Sequence, residues 1–324
     1  VLALVMVLGS FSFVSAADFS DITDEDVAKA VARLDLLEVL EGYPDGTFKP
    51  EQTITRAEFA AVAVRARGLK DSADASLGLP TGFTDVGTSH WASGYVGIAG
   101  KMGIVNGIGN GLFAPSAPVK YEEAITMVVR ALGYEVDAQT KGGYPYGYLI
   151  VANDIGLLDD VKGTQGAPAS RGIVAQIVDN ALEIPKMIQV GFGQDAKWVV
   201  SGSKEHGDEM YPQYLLHDLG VDEIKGHVTN NFRTKSTVKA DEVEINGTKY
   251  DIAEGVDTDA VLGVGVTAWA KDDVVFSISL GYTIKQVGKD LVFDEDQVIY
   301  DAIVESKTND EEAFLYIADD EYDW

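Results

Sequence analysis

The chain contains no cysteine. That excludes disulfides, thiolate metal sites and a cysteine nucleophile. It does not exclude an extracellular location, because a chain of this size needs no covalent staple. Cations are scarce. Against 52 aspartates and glutamates there are only 25 lysines and arginines in 324 residues, a net charge of −27. Duplex nucleic acid wants a basic surface and is not expected as a partner. Any anionic ligand would have to be met by a few placed arginines or lysines. Histidine is rare too: His90, His206, His217 and His227 include no i, i+4 pair of the kind a zinc helix uses. There is no G-x-S-x-G, no Walker A and no EF-hand pattern. "GFGQDA" from Gly191 imitates a dinucleotide loop, but no suitable helix follows it. No carboxylate is singled out by an apolar setting, so no enzyme is read here. No cofactor is expected, although the acidic loops leave a structural Ca2+ open.

Long apolar runs are also missing. Val1–Leu8 is too short to span a bilayer. Val14-Ser15-Ala16 supplies small residues just before Ala17, so residues 1–16 read as part of a secretory signal peptide whose basic start lies upstream. No later segment reads as a transmembrane helix.

What the chain does contain is self-similarity. Gly42, Gly46 and Phe48 recur as Gly107, Gly111 and Phe113, at an offset of 65 residues. The same offset carries Val64-Arg65-Ala66 and Gly68 onto Val129-Arg130-Ala131 and Gly133. "FSD" at Phe19 is echoed by "FTD" at Phe83. A fainter third copy matches "ALGY" at Ala131 with "ALEI" at Ala181, and "APVKYEEAI" with "APASRGIVA". Repetition at a fixed period governs how the rest is read. Each copy spaces its apolar residues for an amphipathic helix, as Val27, Val31 and Leu34 do in copy one. A glycine-rich turn and a short extended piece follow. A second helix opens at Thr55, where Glu58 completes a capping box, and Ser170 is the corresponding cap in copy three. Two helices and a turn enclose too little interior to stand alone, so the copies must bury their apolar stripes against one another. The seams between copies then become grooves.

At these residues the sequence resembles the S-layer homology (SLH) domains of bacterial cell-surface proteins. The resemblance rests on "FSDI" and "FTDV", "HWASGYVGIAGKMGIVNG", "GYPDGTFKP" and "ITRAEFAAVAVRARGL", and runs from about Phe19 to Pro185. It implies a pseudo-threefold helical bundle with one helix of each copy at the axis. It also implies binding of a secondary cell-wall polysaccharide, often pyruvylated, in grooves between copies. The binding groups it implies are the arginine of "TRAE", an aromatic residue and turn residues. Carried over, these are Arg56 and Arg171, Trp91, Tyr43, Gly42 and Gly107. In copy two Lys120 and Tyr121 stand where the motif's arginine is expected, which leaves that groove weakened, altered or silent. A guanidinium grips a carboxylate with two parallel hydrogen bonds, and a ring offers the apolar face of a sugar a surface. Trp91 and Tyr43 can equally be read as packing residues; Arg56 alone would read as a solvated first-turn residue, but within the full "ITRAE" it reads as a binding group. Arg65 and Arg130 read as helix-surface residues paired with nearby acids.

Beyond Pro185 the spacing changes to alternation. "IQVGFG", "KWVVSG", "EIKGHVT" and "DEVEINGTKYDI" read as strands, with Asn246-Gly247 as a hairpin turn. A second hairpin turns at Lys271-Asp272-Asp273, and "YPQYLLHDLG" reads as a short helix ending at Gly220. The expected class is therefore multidomain α + β: signal peptide 1–16, repeats at 17–70, 80–136 and 140–187, and a β-rich sandwich or barrel at 188–324, as one domain or one plus the start of another. The acidic end at Trp324 reads as the cut edge of a longer protein. The function expected is non-catalytic: a secreted protein anchored to the cell wall by its SLH triplet and forming a homo-oligomeric surface lattice. The alternative is an SLH-anchored polysaccharide hydrolase whose catalytic domain lies outside this chain.

Overall fold

The computed structural model describes residues 19–207, 211–253 and 256–280, together with the backbone of strands at 12–13, 284–286, 292–293, 303–308 and 311–316. The chain divides into two compact units, one of residues 16–220 and one of residues 1–15 with 221–324.

The first unit is built from three helical copies. Copy one holds α1 (Glu25–Leu36), α2 (Arg56–Ala66) and the short α3 (Lys70–Ala75). Copy two holds α4 (Ser93–Lys101), α5 (Tyr121–Ala131) and α6 (Glu135–Thr140). Copy three holds α7 (Tyr146–Asp154) and α8 (Arg171–Ala181). The caps form as the sequence predicts. Thr55 accepts from the Glu58 amide while Glu58 accepts from the Thr55 amide, and Ser170 accepts from Ile173.

Closure is cyclic. The first helix of each copy packs on the second helix of the copy before it: α4 on α2, α7 on α5, and α1 on α8. The residues just before the second helices form a ring of backbone hydrogen bonds. Ile54 N–H donates to Ala169 O (3.2 Å), Val119 N–H to Ile54 O (3.0 Å) and Ala169 N–H to Val119 O (2.8 Å). Two residues on, a second ring repeats the pattern: Arg56 to Ala117, Tyr121 to Ala167 and Arg171 to Gln52. Ile54, Val119 and Ala169 are fully buried at the centre. The bundle is therefore pseudo-threefold, and no copy satisfies its own backbone without the other two.

The same unit continues past the third copy. Strands β2 (Met187–Val190) and β3 (Lys197–Val200) form a hairpin, and a helical turn α9 (Leu215–Asp218) follows. Met187 N–H donates to Leu132 O and Leu216 N–H to Leu182 O. Asp218 receives Arg67 Nε (2.9 Å) and Lys186 Nζ (2.5 Å). The β character predicted from 188 onward thus begins inside the helical unit's own compact body.

The second unit is a closed barrel. Its strands are β4 (Asp222–Asn230), β5 (Glu242–Ile245), β6 (Thr248–Ile252), β7 (Gly265–Lys271) and β8 (Val274–Leu280). They close in the order β4-β5-β6-β8-β7 and back to β4, antiparallel except for β6 with β8. This is the connectivity of a five-stranded Greek-key barrel. Val228, Val243, Ile245, Val266, Ala268, Val275 and Ile278 fill it. The predicted turns sit where expected: Asn246 and Gly247 have positive φ between β5 and β6, and Asp272 and Asp273 between β7 and β8. On the outer face of β5, Glu242 and Glu244 lie under the loop 231–241, held by Lys239 (2.7 Å) and Lys235 (2.6 Å). A short strand at the start of the chain, β1 (Ser12–Phe13), pairs with β8 at Ser277 and Ile278. The acidic end beyond 316 lies outside the described residues, as does most of the segment predicted as a signal peptide.

Candidate functional site

The candidate site grows out of the turns between the two helices of a copy. The "FSD" and "FTD" motifs build those turns. Asp21 accepts from the Phe48 and Lys49 amides (2.9 and 2.8 Å), and Asp85 from the Phe113 and Ala114 amides (2.8 and 2.7 Å). Lys49 and Ala114 have positive φ, and the carboxylates hold the backbone there. The amide of Phe48 leads in lowering the pKa of Asp21. At Asp85 burial works in the opposite sense, and the two amides outweigh it, so that carboxyl too sits below its ordinary value. The rings of the same motifs pack beneath: Phe19 on Phe48 at 5.8 Å and Phe83 on Phe113 at 5.3 Å.

Gly42 and Gly107 are explained at this point. A Cβ on Gly42 would fall 2.1 Å from the Phe19 ring, and one on Gly107 would fall 2.9 Å from Phe83 and 2.6 Å from Leu112 O. Their geometry serves the packing of the turn. The third turn has no such phenylalanine. There Gly163 lies against Tyr121, whose ring would be 2.0 Å from an added Cβ.

The first-turn arginines of α2 and α8 each reach across a seam to a neighbouring turn. Arg56 donates Nε–H to Phe113 O (2.9 Å) and Nη2–H to Asn106 O (2.8 Å). Arg171 donates Nε–H to Phe48 O and Nη2–H to Glu41 O, both at 2.8 Å. Each guanidinium also lies over a ring, Phe113 at 4.9 Å and Phe48 at 4.6 Å. The sequence suggested an open fork for a ligand. Instead Arg56 is only 7% and Arg171 only 6% exposed, because two donors of each are committed to carbonyls that would otherwise be buried unpaired. Nη1 is the edge that remains; on Arg56 it stands 3.9 Å from Glu123. Burial lowers the pKa of both arginines without discharging them.

The other predicted residues divide. Tyr43 lies between Lys49 Nζ (4.0 Å) and Arg171 (4.8 Å), and its hydroxyl accepts from Gln52. Trp91 is 54% exposed and stacks on His90 at 5.9 Å. Lys120 is exposed, whereas Tyr121 is 8% exposed and occupies the third seam.

The seam at Arg56 opens into a cleft of about 360 Å3. It is lined by Arg56, Asn106, Gly107, Ile108, Glu123, Thr126, Met127, Arg130 and Tyr144. Of these only Arg56 and Gly107 were assigned to a site from sequence; Asn106, Arg130 and Tyr144 are among the seven that were not. With its amide turned as its neighbours require, the Asn106 oxygen accepts from both Nη atoms of Arg130 at 3.1 and 3.2 Å. Arg130 also donates Nε–H to Glu135 (2.7 Å). Tyr144 is 53% exposed at the rim. The recurrence of Arg65 and Arg130 at the repeat offset was the signal available in the sequence. Among the described residues no group of three His, Asp or Glu is placed to hold a metal, and no helix is long and apolar enough to cross a membrane.

The geometry defines a class first: a ring of helix–turn–helix copies with guanidinium groups fixed in the seams. The S-layer homology domain family matches residues 18–60 and 82–125, so the chain carries two such domains in its first and second copies. It is similar to the Middle cell wall protein of Brevibacillus brevis, 34% identical over 265 residues, which is 77% of this chain and 25% of that protein. The Surface layer protein of Brevibacillus choshinensis is 32% identical over 269 residues, 77% of this chain and 23% of that protein. The Cell surface protein of Thermoanaerobacter kivui is 31% identical over 295 residues, 84% of this chain and 38% of that protein. The chain spans about a quarter of the length of the first two relatives.

Proposed function

We propose that residues 16–220 are a cell-wall anchor made of three SLH repeats, the third being the copy that carries α7 and α8. The anchor binds an anionic secondary cell-wall polysaccharide, of the pyruvylated kind, in a seam between copies. The protein is then a non-catalytic component of the cell surface, and its barrel belongs to the part that forms or presents an outer layer of like subunits. The observation that carries this reading is the cleft at Arg56. In a chain of net charge −27 it gathers two arginines and the rim ring of Tyr144. The names of the three relatives given above, a cell wall protein, a surface layer protein and a cell surface protein, support the same reading.

The test is retention of the full chain on purified sacculi, with and without chemical removal of the secondary polymer. Retention on intact sacculi and release from stripped ones is expected. Equal retention on both would overturn the anchor.

A further inference from the structure

The three seams share one frame but differ in charge, and between the two that carry a second-helix arginine the difference falls on a single position. Resting on the anchor reading above, we infer that the anionic group is taken only at the Arg56 seam, and that residue 106, with its counterpart 41, decides this. Arg56 and Arg130 in one seam correspond to Arg171 and Arg65 in the next. Glu123 corresponds to Glu58; each is the third residue of its helix, and each is a carboxylate near the seam arginine. An acid also stands behind each second arginine: Glu135 on Arg130 (2.7 Å), and Asp74, which accepts from Tyr95 (2.8 Å) and feels the charge of Arg65. Lys49 and Asp45 add a cation and an anion to the Arg171 side, paired at 3.3 Å. These contributions cancel between the two seams.

Asn106 and Glu41 do not cancel. Each gives its backbone carbonyl to the seam arginine, so the two side chains leave the chain at the same point of the turn. Asn106 meets Arg130 with a neutral amide. Glu41 meets Arg65 with a carboxylate, 3.8 Å from Nη1. An incoming carboxylate at the Arg171 seam would have to displace Glu41 or sit beside it, and like charges at that distance repel. At the Arg56 seam a neutral amide holds that place beside the second arginine, and the one carboxylate of the lining, Glu123, has its counterpart in Glu58. The third seam offers no guanidinium from its second helix, because Tyr121 fills the space over Gly163.

The experiment is calorimetric titration of the full chain with a pyruvate-ketal amino sugar and with the same sugar lacking the ketal, alongside retention on sacculi. One site per chain is expected for the ketal and none for the plain sugar. Asn106→Glu should lose about tenfold or more in affinity, as expected when like charges are brought together, and should lose more than Asn106→Gln, which lengthens the side chain but keeps a neutral amide. Glu41→Asn should raise the count to two sites. Both positions are at the surface of a turn, and thermal unfolding of each variant verifies that the fold is kept. A parent count of two or more, an Asn106→Glu variant that binds normally, or a Glu41→Asn variant still at one site overturns the assignment and leaves the anchor standing. Retention on sacculi with no binding of the ketal overturns the carboxylate as the recognised group. Loss of polymer-dependent retention itself would instead sink the anchor.

Discussion

Arg56 and Arg171 each hold a turn of a neighbouring copy by two charge-assisted hydrogen bonds, so their first duty is structural. Arg171→Ala should lower the stability of the helical unit by about 1–3 kcal/mol, since the buried Phe48 carbonyl and the part-buried Glu41 carbonyl lose their donors. Thermal denaturation at neutral pH measures this. The two turn aspartates add a pH dependence. Asp21 and Asp85 have folded-state pKa values below the ordinary 3.8. Their contribution is complete above that value and is lost as pH falls through the folded-state values. Asp85→Asn should therefore destabilise the unit at neutral pH and flatten the acid limb of its stability profile below about pH 4. A variant whose acid limb is unchanged would count against the carboxylate as the clamp. Tyr121→Arg, which from the sequence promises a third cationic groove, should add no binding. The ring sits over Gly163, and a longer side chain there should cost about 1–3 kcal/mol by overpacking.

Elements meet here by exchange: each first helix serves its neighbour's second helix. The closing contact, α1 on α8, carries a buried ion pair. Arg33 donates to Asp179 Oδ1 (2.6 Å), to the Asp179 carbonyl (3.0 Å) and to Glu183. Burial opposes the charge of Arg33, but the two carboxylates outweigh it and raise the pKa; at Asp179 burial prevails and pushes its carboxyl up. Arg33→Ala should cost about 3–5 kcal/mol, because it strands a carboxylate between two helices, and Arg33→Leu with Asp179→Leu should recover most of that. Urea unfolding of the single and double variants separates the two effects. In the barrel, Glu242 is held by Lys239, by its amide and by Lys249, which brings its pKa down to about 2. That contribution is present above 4.5 and fades as pH falls toward about 2, so Glu242→Gln should weaken the barrel at neutral pH but not at pH 2.

At the scale of the whole molecule, the helical unit reaches Gly220. A fragment ending at 187 loses α9, with Leu215 and Leu216 fully buried, and the Arg67–Asp218–Lys186 cluster. It should be less stable than one ending at 220 by roughly 3–6 kcal/mol from the two leucines alone. Calorimetry of the two fragments decides this.

The Thr55 and Ser170 caps and the Asn246-Gly247 turn were legible in the sequence because each is a local preference written in a few consecutive residues, and the period of 65 residues because matching residue types recur along the chain. The seams were not. Arg56 looked like a free cation until the carbonyls of Asn106 and Phe113, 50 and 57 residues away, were seen to take its donors. Asn106 carried no signal at all until it was set against Glu41 on an equivalent turn. By itself the sequence determined the repeated unit, the helices with their caps and the acidic surface, since periodicity and capping act within a few residues. Only the tertiary structure decided which arginine edges remain for a ligand, which seam keeps a neutral neighbour and where the unit ends. Those depend on groups brought together across the ring, whose hydrogen bonds and charges exist only once all three copies have closed.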